Sequence, residues 1–296
     1  MTWCTVVWFG NPELRWSYEW IKELLKDTPT VHVCYPDTKN VKYHECSIIV
    51  SDTSTAEEYI KNVDAQNKPF GVILLSDETL STNLSYLNSP NCKFVARNYF
   101  HPLFYNHPKV FVFGLGYKTG FIRNQRKNSD KKFMWSFAGS LKSDRNSMIA
   151  ACSSLMPFQL NIFKNFNDPL NLTAAEYADL LAKSIFVPAP QGGASIDSFR
   201  IYEALEAGSI PVVTNNGRTT EMCPSYWHFV FQGEATLPFI SENSWEEAAT
   251  KMNAACELNK IDEMQQNCAT FWQKWKNNWK IKFKNTILSS FSEKKN

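Results

Sequence analysis

The sequence predicts an α/β protein of two doubly wound units, and three observations predict it. Strand-like and helix-like segments alternate through the first half of the chain and again through the second. A polar, basic stretch, YKTGFIRNQRKNSDKK, separates the two series. The length, 296 residues, suffices for two ordinary domains, each with its own core.

TVVWFG (5 to 10) opens the first series as a strand, and residues 13 to 26 read as a helix with Leu14, Tyr18, Ile21 and Leu25 on one stripe. TVHVCY (30 to 35) and SIIV (47 to 50) are strand-like, and a helix over 55 to 63 leads into FGVILLS (70 to 76). KFVARNY (93 to 99) and KVFVFGLGY (109 to 117) complete this half. The second series opens with KFMWSFAG (132 to 139), a helix over 143 to 154 and a strand near 158 to 163. A helix at 173 to 182, the strand SIFVPAP (184 to 190), a helix at 198 to 207 and a strand at 210 to 214 follow. HFVFQ (228 to 232) reads as a further strand, and helices at 244 to 257 and 261 to 287 end the chain. The domain boundary falls near 118 to 131, where the basic run reads as a solvated linker.

Composition narrows the function. A net charge of +2 argues against a dedicated nucleic-acid binder, and 44% hydrophobic content argues for a packed globule. No apolar run is long enough to span a bilayer, and neither terminus reads as a signal peptide. The eight cysteines contain no CxxC pair, which suits buried thiols in a reducing compartment better than disulfides or zinc. The expectation is a soluble, cytoplasmic protein in which the acceptor patterns at Asn83 and Asn171 carry no glycan.

The loops at the strand ends carry the chemistry. In parallel sheets ligands sit outside the carboxyl ends of the strands. After SIFVPAP comes QGGASIDS, where Gly192 and Gly193 let backbone approach a ligand closely. The helix that follows from Ser198 presents free N–H groups and a positive dipole end, which suit a phosphate. KFMWSFAG runs likewise into a turn with Gly139 and Ser140, then Lys142 and Arg145. Arg145 and Arg200 have the planar geometry to clamp a diphosphate, and Glu203, one turn beyond Arg200, suits ribose hydroxyls. The plainer reading of that helix is a surface helix with an i,i+3 ion pair.

SIFVPAPQGG followed by SFRIYEALEAGSIPVV resembles the C-terminal signature of exostosin-like glycosyltransferases. SFAGSLKSDR is similar to that family's strand-glycine-arginine element. FGVILLSDE, ARNYF and GLGYK are similar to its short, single-module members in microbes and large algal viruses. The resemblance covers roughly residues 70 to 250, and R-x-x-E-A-L-x-x-G-x-I-P-V is its most specific part. It implies two facing Rossmann-like domains of the GT-B type and inverting transfer from a UDP-sugar, with xylose as the first candidate. On that basis residues 1–120 form an acceptor-binding domain, 121–270 a nucleotide-sugar domain, and 271–296 a helix packing back on the first. A viral member would act in the host cytoplasm.

Inversion needs a base for the proton of the acceptor hydroxyl. Asp77 and then Glu78, directly after FGVILLS, are the first choices, with Glu13 after the first strand as competitor. Arg97, Asn98 and Tyr99 line the acceptor side or buttress the base. The five histidines lack metal-ligand spacing and there is no Asp-x-Asp element. The reading is therefore arginine and helix-end stabilisation of the diphosphate, with no metal and no other cofactor. Cys268, Trp272, Trp275, Trp279, Phe283 and Ile287 share one helical stripe, which packs on the protein or, alternatively, on a membrane surface. The competing function is a non-catalytic nucleotide-sugar or glycan-binding module on the same fold. Acceptor identity and oligomeric state stay open.

Overall fold

The computed structural model describes residues 4–35, 46–51, 55–100, 102–104, 106–121, 125, 127–165, 168, 170–216, 226–231 and 236–291. It divides into two compact units, residues 1–114 with 276–296, and residues 115–275.

The first unit is built on β1 (Cys4–Phe9), β2 (Thr30–Tyr35), β3 (Ser47–Ser51), β4 (Phe70–Leu74), β5 (Cys92–Arg97) and β6 (Val110–Val112). These form one parallel sheet in the order β2-β1-β3-β4-β5-β6. CTVVWF, SIIVS and FGVIL are buried along their whole length, as parallel strands covered on both faces must be. Helix α1 (Tyr18–Leu25) buries Trp20, Ile21, Leu24 and Leu25, and α2 (Thr55–Ala65) buries Tyr59, Ile60 and Val63 against β3 and β4. Each such side chain contributes about 1.5–3 kcal/mol when fully removed from water. The packing is tight at Gly71, where a β-carbon would lie 2.3 Å from the Phe94 ring.

The second unit carries β7 (Phe133–Ser140), β8 (Phe158–Phe163), β9 (Ser184–Pro188), β10 (Ile210–Thr214) and β11 (Ile240–Glu242) in the parallel order β11-β10-β9-β7-β8. Its helices are α3 (Arg145–Cys152), α4 (Ala174–Ala182), α5 (Phe199–Glu206), α6 (Tyr226–Val230) and α7 (Trp245–Glu257). Helix α8 (Ile261–Phe291) belongs to the second unit up to Trp275 and to the first from Lys276 onward. Its aromatic stripe is buried throughout. Trp275 stacks on Tyr202 of α5, and Trp279 and Phe283 pack on Phe111 of β6. The stripe therefore serves packing on the protein. Among the described residues no helix is long and apolar enough to cross a membrane.

Three expectations change. The first helix starts at Tyr18, not at residue 13, because Asn11 caps a separate 3-10 turn over Pro12–Leu14 and leaves Leu14 79% exposed. HFVF is not a strand: residues 226–230 are helical, with Tyr226, Trp227, Val230 and Phe231 buried at helical spacing, and Gln232 lies outside the described residues. The missed strand is the short β11. The basic run is no mere solvated linker. The Lys118 N–H, the Gln125 side chain and the Lys131 ammonium bond Glu203, the Glu206 carbonyl and the Gly208 carbonyl respectively, along and just beyond α5.

Candidate donor site

In the second sheet the chain leaves β7 for β8 on one side, then returns to β9 on the other. The reversal opens a crevice between the loops that follow β7 and β9, where ligands of doubly wound sheets bind. Both glycine-bearing turns therefore meet at one point. Arg145 joins them: its Nη1 donates to the Ser140 carbonyl at 2.7 Å and its Nη2 to the Gln191 carbonyl at 3.4 Å.

Arg200, on the first turn of α5, donates through Nη2 to the Ala138 carbonyl at 2.9 Å. Gly139 lies between the two arginines and the Phe137 ring, and the ring is the tight neighbour. At its φ of +157°, a β-carbon would sit 3.4 Å from Arg200 Nη2, 3.5 Å from Arg145 Nη1 and 3.1 Å from the Phe137 ring. The Phe137 ring lies under both guanidiniums, with centroid distances of 4.8 Å to Arg200 and 5.7 Å to Arg145. Such contacts hold a cation without neutralising it.

The local charge at this point is positive. Burial, and after it the Arg200 charge, push the Arg145 guanidinium down to about 10, so it stays protonated at neutral pH. Among the described residues neither arginine has a carboxylate within ion-pair distance. Arg145 Nε, Arg200 Nε and Ser198 Oγ are buried polar atoms without a hydrogen-bond partner. Ser198 holds the N-cap position of α5 but makes no side-chain cap bond, and the positive end of the helix dipole lies beside Arg200.

Glu203 is placed differently from expectation. Its carboxylate is buried, accepts the Lys118 N–H at 3.3 Å and is bonded by the Tyr177 hydroxyl, which also bonds Arg200. Burial raises its pKa above the usual carboxylate range despite the pull of Arg200. Glu203 thus orders Lys118, Tyr177 and Arg200 while keeping acceptor capacity. Gly192 donates to the Ser195 carbonyl at 2.8 Å, and Gly193 is exposed at the loop tip. Neither occupies left-handed backbone, so their small size rather than their φ is what the loop uses. Sequence reasoning missed Phe137, Tyr177 and Lys118. Phe137 was visible only as an apolar strand residue, and the other two come from segments that no local pattern links to α5.

In the first unit, Asp77 does not suit a base. Its Oδ2 accepts from Arg97 Nη2 at 2.9 Å and its Oδ1 from the Ser81 and Thr82 N–H groups, with the side chain 3% exposed. Arg97 in turn donates to the Asn98 and Tyr99 carbonyls and covers the Phe104 ring. Both carboxylate oxygens are engaged away from solvent, so Asp77 braces the loop after β4 against the loop after β5. Glu78, the next residue, is only partly buried. Left-handed Ser76 (φ 60°) and Leu80 (φ 57°) flank the pair, an unfavourable backbone for non-glycine residues that commonly marks a functional loop. Glu13 is exposed in the turn after β1, next to the point where the first sheet reverses direction.

The model of the RXYLT1 C-terminal domain family matches residues 117–294. No curated protein sequence matches the chain. Among solved structures, an alpha1,3-fucosyltransferase is similar at 14% identity and a TM-score of 0.51, over 98% of this chain and 90% of that one. HepE (Alr3699) of Anabaena, solved with UDP and glucose, is similar at 11% identity and a TM-score of 0.56, over 98% of this chain and all of that one. The DNA-modifying beta-glucosyltransferase, solved with and without uridine diphosphoglucose, is similar at 12% identity and a TM-score of 0.56, over 97% and 99%. The likeness fixes the fold as the two-domain GT-B fold of glycosyltransferases, and the chain belongs to the RXYLT1 C-terminal domain family.

Proposed function

We propose that the chain is an inverting glycosyltransferase that moves a sugar, xylose first among candidates, from a UDP-sugar to a hydroxyl of a glycan acceptor. One observation carries the donor half: two guanidiniums held side by side at Gly139, with no carboxylate within ion-pair distance among the described residues, at the N-terminus of α5. Holding like charges together costs free energy, and a bound diphosphate offsets it. That the similar structures of HepE and beta-glucosyltransferase hold UDP or a UDP-sugar supports the same reading. Xylose and inversion rest on the exostosin-like resemblance alone.

In this reading Arg145, Arg200 and the α5 N-terminus, with Ser140, Ser198 and the Gly192–Gly193 loop, hold the diphosphate. Glu203 faces the ribose. As the acceptor oxygen bonds to the anomeric carbon, the bond from that carbon to the phosphate oxygen breaks, and the arginines stabilise the departing UDP. The acceptor proton passes to Glu78, which replaces Asp77 as first choice because Asp77 is sealed by Arg97. Charge balance comes from cationic side chains, so no divalent ion is required. The proposed compartment is the cytoplasm.

The test is a thermal-shift series with UDP, GDP and CMP, followed by UDP-sugar hydrolysis without acceptor. UDP should raise the melting temperature most, because a ligand of the native state stabilises it by mass action. Slow release of the sugar to water separates an enzyme from a non-catalytic binding module. Absence of any UDP shift would overturn the donor site, and binding without hydrolysis or transfer would favour the module.

A further inference from the structure

Two successive crossovers of the first sheet differ. β3 connects to β4 through the helix α2, whereas β4 connects to β5 through residues 75–91 with one 3-10 turn, Ser85–Asn88. A parallel connection is usually a helix, whose side chains fill a cylinder of about 10–12 Å. The thin connection fills less, and an open trough of about 540 Å³ lies beside α2.

The trough has built walls. Glu57, Lys61 and Asp64 line it from one face of α2, at i, i+4 and i+7. On the other side Asp64 Oδ1 accepts from Ser89 Oγ at 2.6 Å and Asn91 Nδ2 at 2.7 Å. Lys109 Nζ fixes the same segment through the Leu87 and Ser89 carbonyls, at 2.8 and 2.7 Å. Tyr86 packs on the core beneath, and its buried hydroxyl has no partner. Asn83 and Ser85 complete the rim.

The chemistry selects an occupant. Two carboxylates against one ammonium disfavour an anion. Amides, hydroxyls and carboxylates together offer the donors and acceptors that vicinal hydroxyls require. We propose that this trough binds a neutral oligosaccharide, the part of a glycan acceptor remote from the sugar being transferred. The identity of that ligand as an acceptor rests on the glycosyltransferase reading; the binding itself does not.

Calorimetric titration of the whole chain with neutral hexasaccharides of xylose, glucose, mannose and N-acetylglucosamine tests it. At least one should bind, and the exposed substitutions Ser85→Trp and Lys61→Trp, which fill the trough from opposite walls, should each weaken it tenfold or more. UDP affinity should not change in either variant. No binding by any of the four, or unchanged binding in both variants, overturns the proposal. Because this readout needs no catalysis, a chain that binds the sugar but transfers nothing overturns only the functional reading.

Discussion

Each unit carries a buried arginine at the carboxyl edge of its sheet, and the two are used in opposite ways. Arg97 of the first unit is closed: its guanidinium meets Asp77 at 2.9 Å and both groups are shut off from water. Arg145 of the second is open: the charge that acts on it most is that of Arg200, and one of its nitrogens has no partner. A closed pair contributes to architecture, since its charges are already compensated. An open pair retains field for a ligand and gives up stability to do so. Buried arginines are therefore informative through their counter-charge, not through burial.

The largest effects should come from breaking the closed pair. Arg97→Ala leaves the Asp77 carboxylate buried and uncompensated, which costs about 3–5 kcal/mol of stability in denaturant unfolding. UDP affinity of the protein that remains folded should be unchanged, and a variant as stable as the parent would show that the pair is not sealed. Next comes the residue that the closed pair supports. Glu78→Gln should lower turnover by about 10²–10⁴-fold while leaving UDP binding intact. Near-normal turnover in that variant, together with a collapse in Glu13→Gln, would move the base to the turn after β1.

The open pair should respond in the reverse sense. Arg200→Ala removes charge-assisted hydrogen bonds of about 1.5–3 kcal/mol, so UDP should bind about tenfold more weakly or worse. Without ligand the relieved repulsion from Arg145 opposes the lost bond to the Ala138 carbonyl and the lost attraction to Glu203, so this variant should lose less stability than Arg97→Ala. A marked loss of stability with unchanged UDP affinity would make Arg200 a second architectural arginine.

A smaller effect belongs to Glu203. A carboxyl whose folded pKa is raised binds its proton more readily in the native state, so its contribution is full at low pH and is lost as pH rises through that pKa. Glu203→Gln should flatten this decline in stability above the ordinary carboxylate range. An unchanged pH profile would mean that Lys118, Tyr177 and Arg200 compensate the burial fully. The smallest expected effect is none: EDTA should leave transfer unaltered, and complete loss restored by manganese would show that arginines do not balance the diphosphate alone.

Much of this was legible in the chain. Near-continuous apolar runs such as SIIVS and FGVIL announce buried parallel strands, and the helical spacing of Trp272, Trp275 and Trp279 announces a packed helix. Gly139, Arg145 and Arg200 could be nominated because glycine turns followed by arginine are local features. HFVFQ misled because aromatic β-formers also suit a short buried helix, and only its packing partners decide between them.

What the sequence determined by itself, then, was the period of each element and the chemical types gathered at strand ends, since both follow from neighbours a few residues apart. What only the tertiary structure decided was counter-charge. Asp77 and Arg97 lie twenty positions apart, and Glu203 and Lys118 eighty-five; the strand order and the α5 packing bring them together. Electrostatic interaction falls with distance through space and is blind to distance along the chain. That Asp77 is a brace was therefore fixed by the fold.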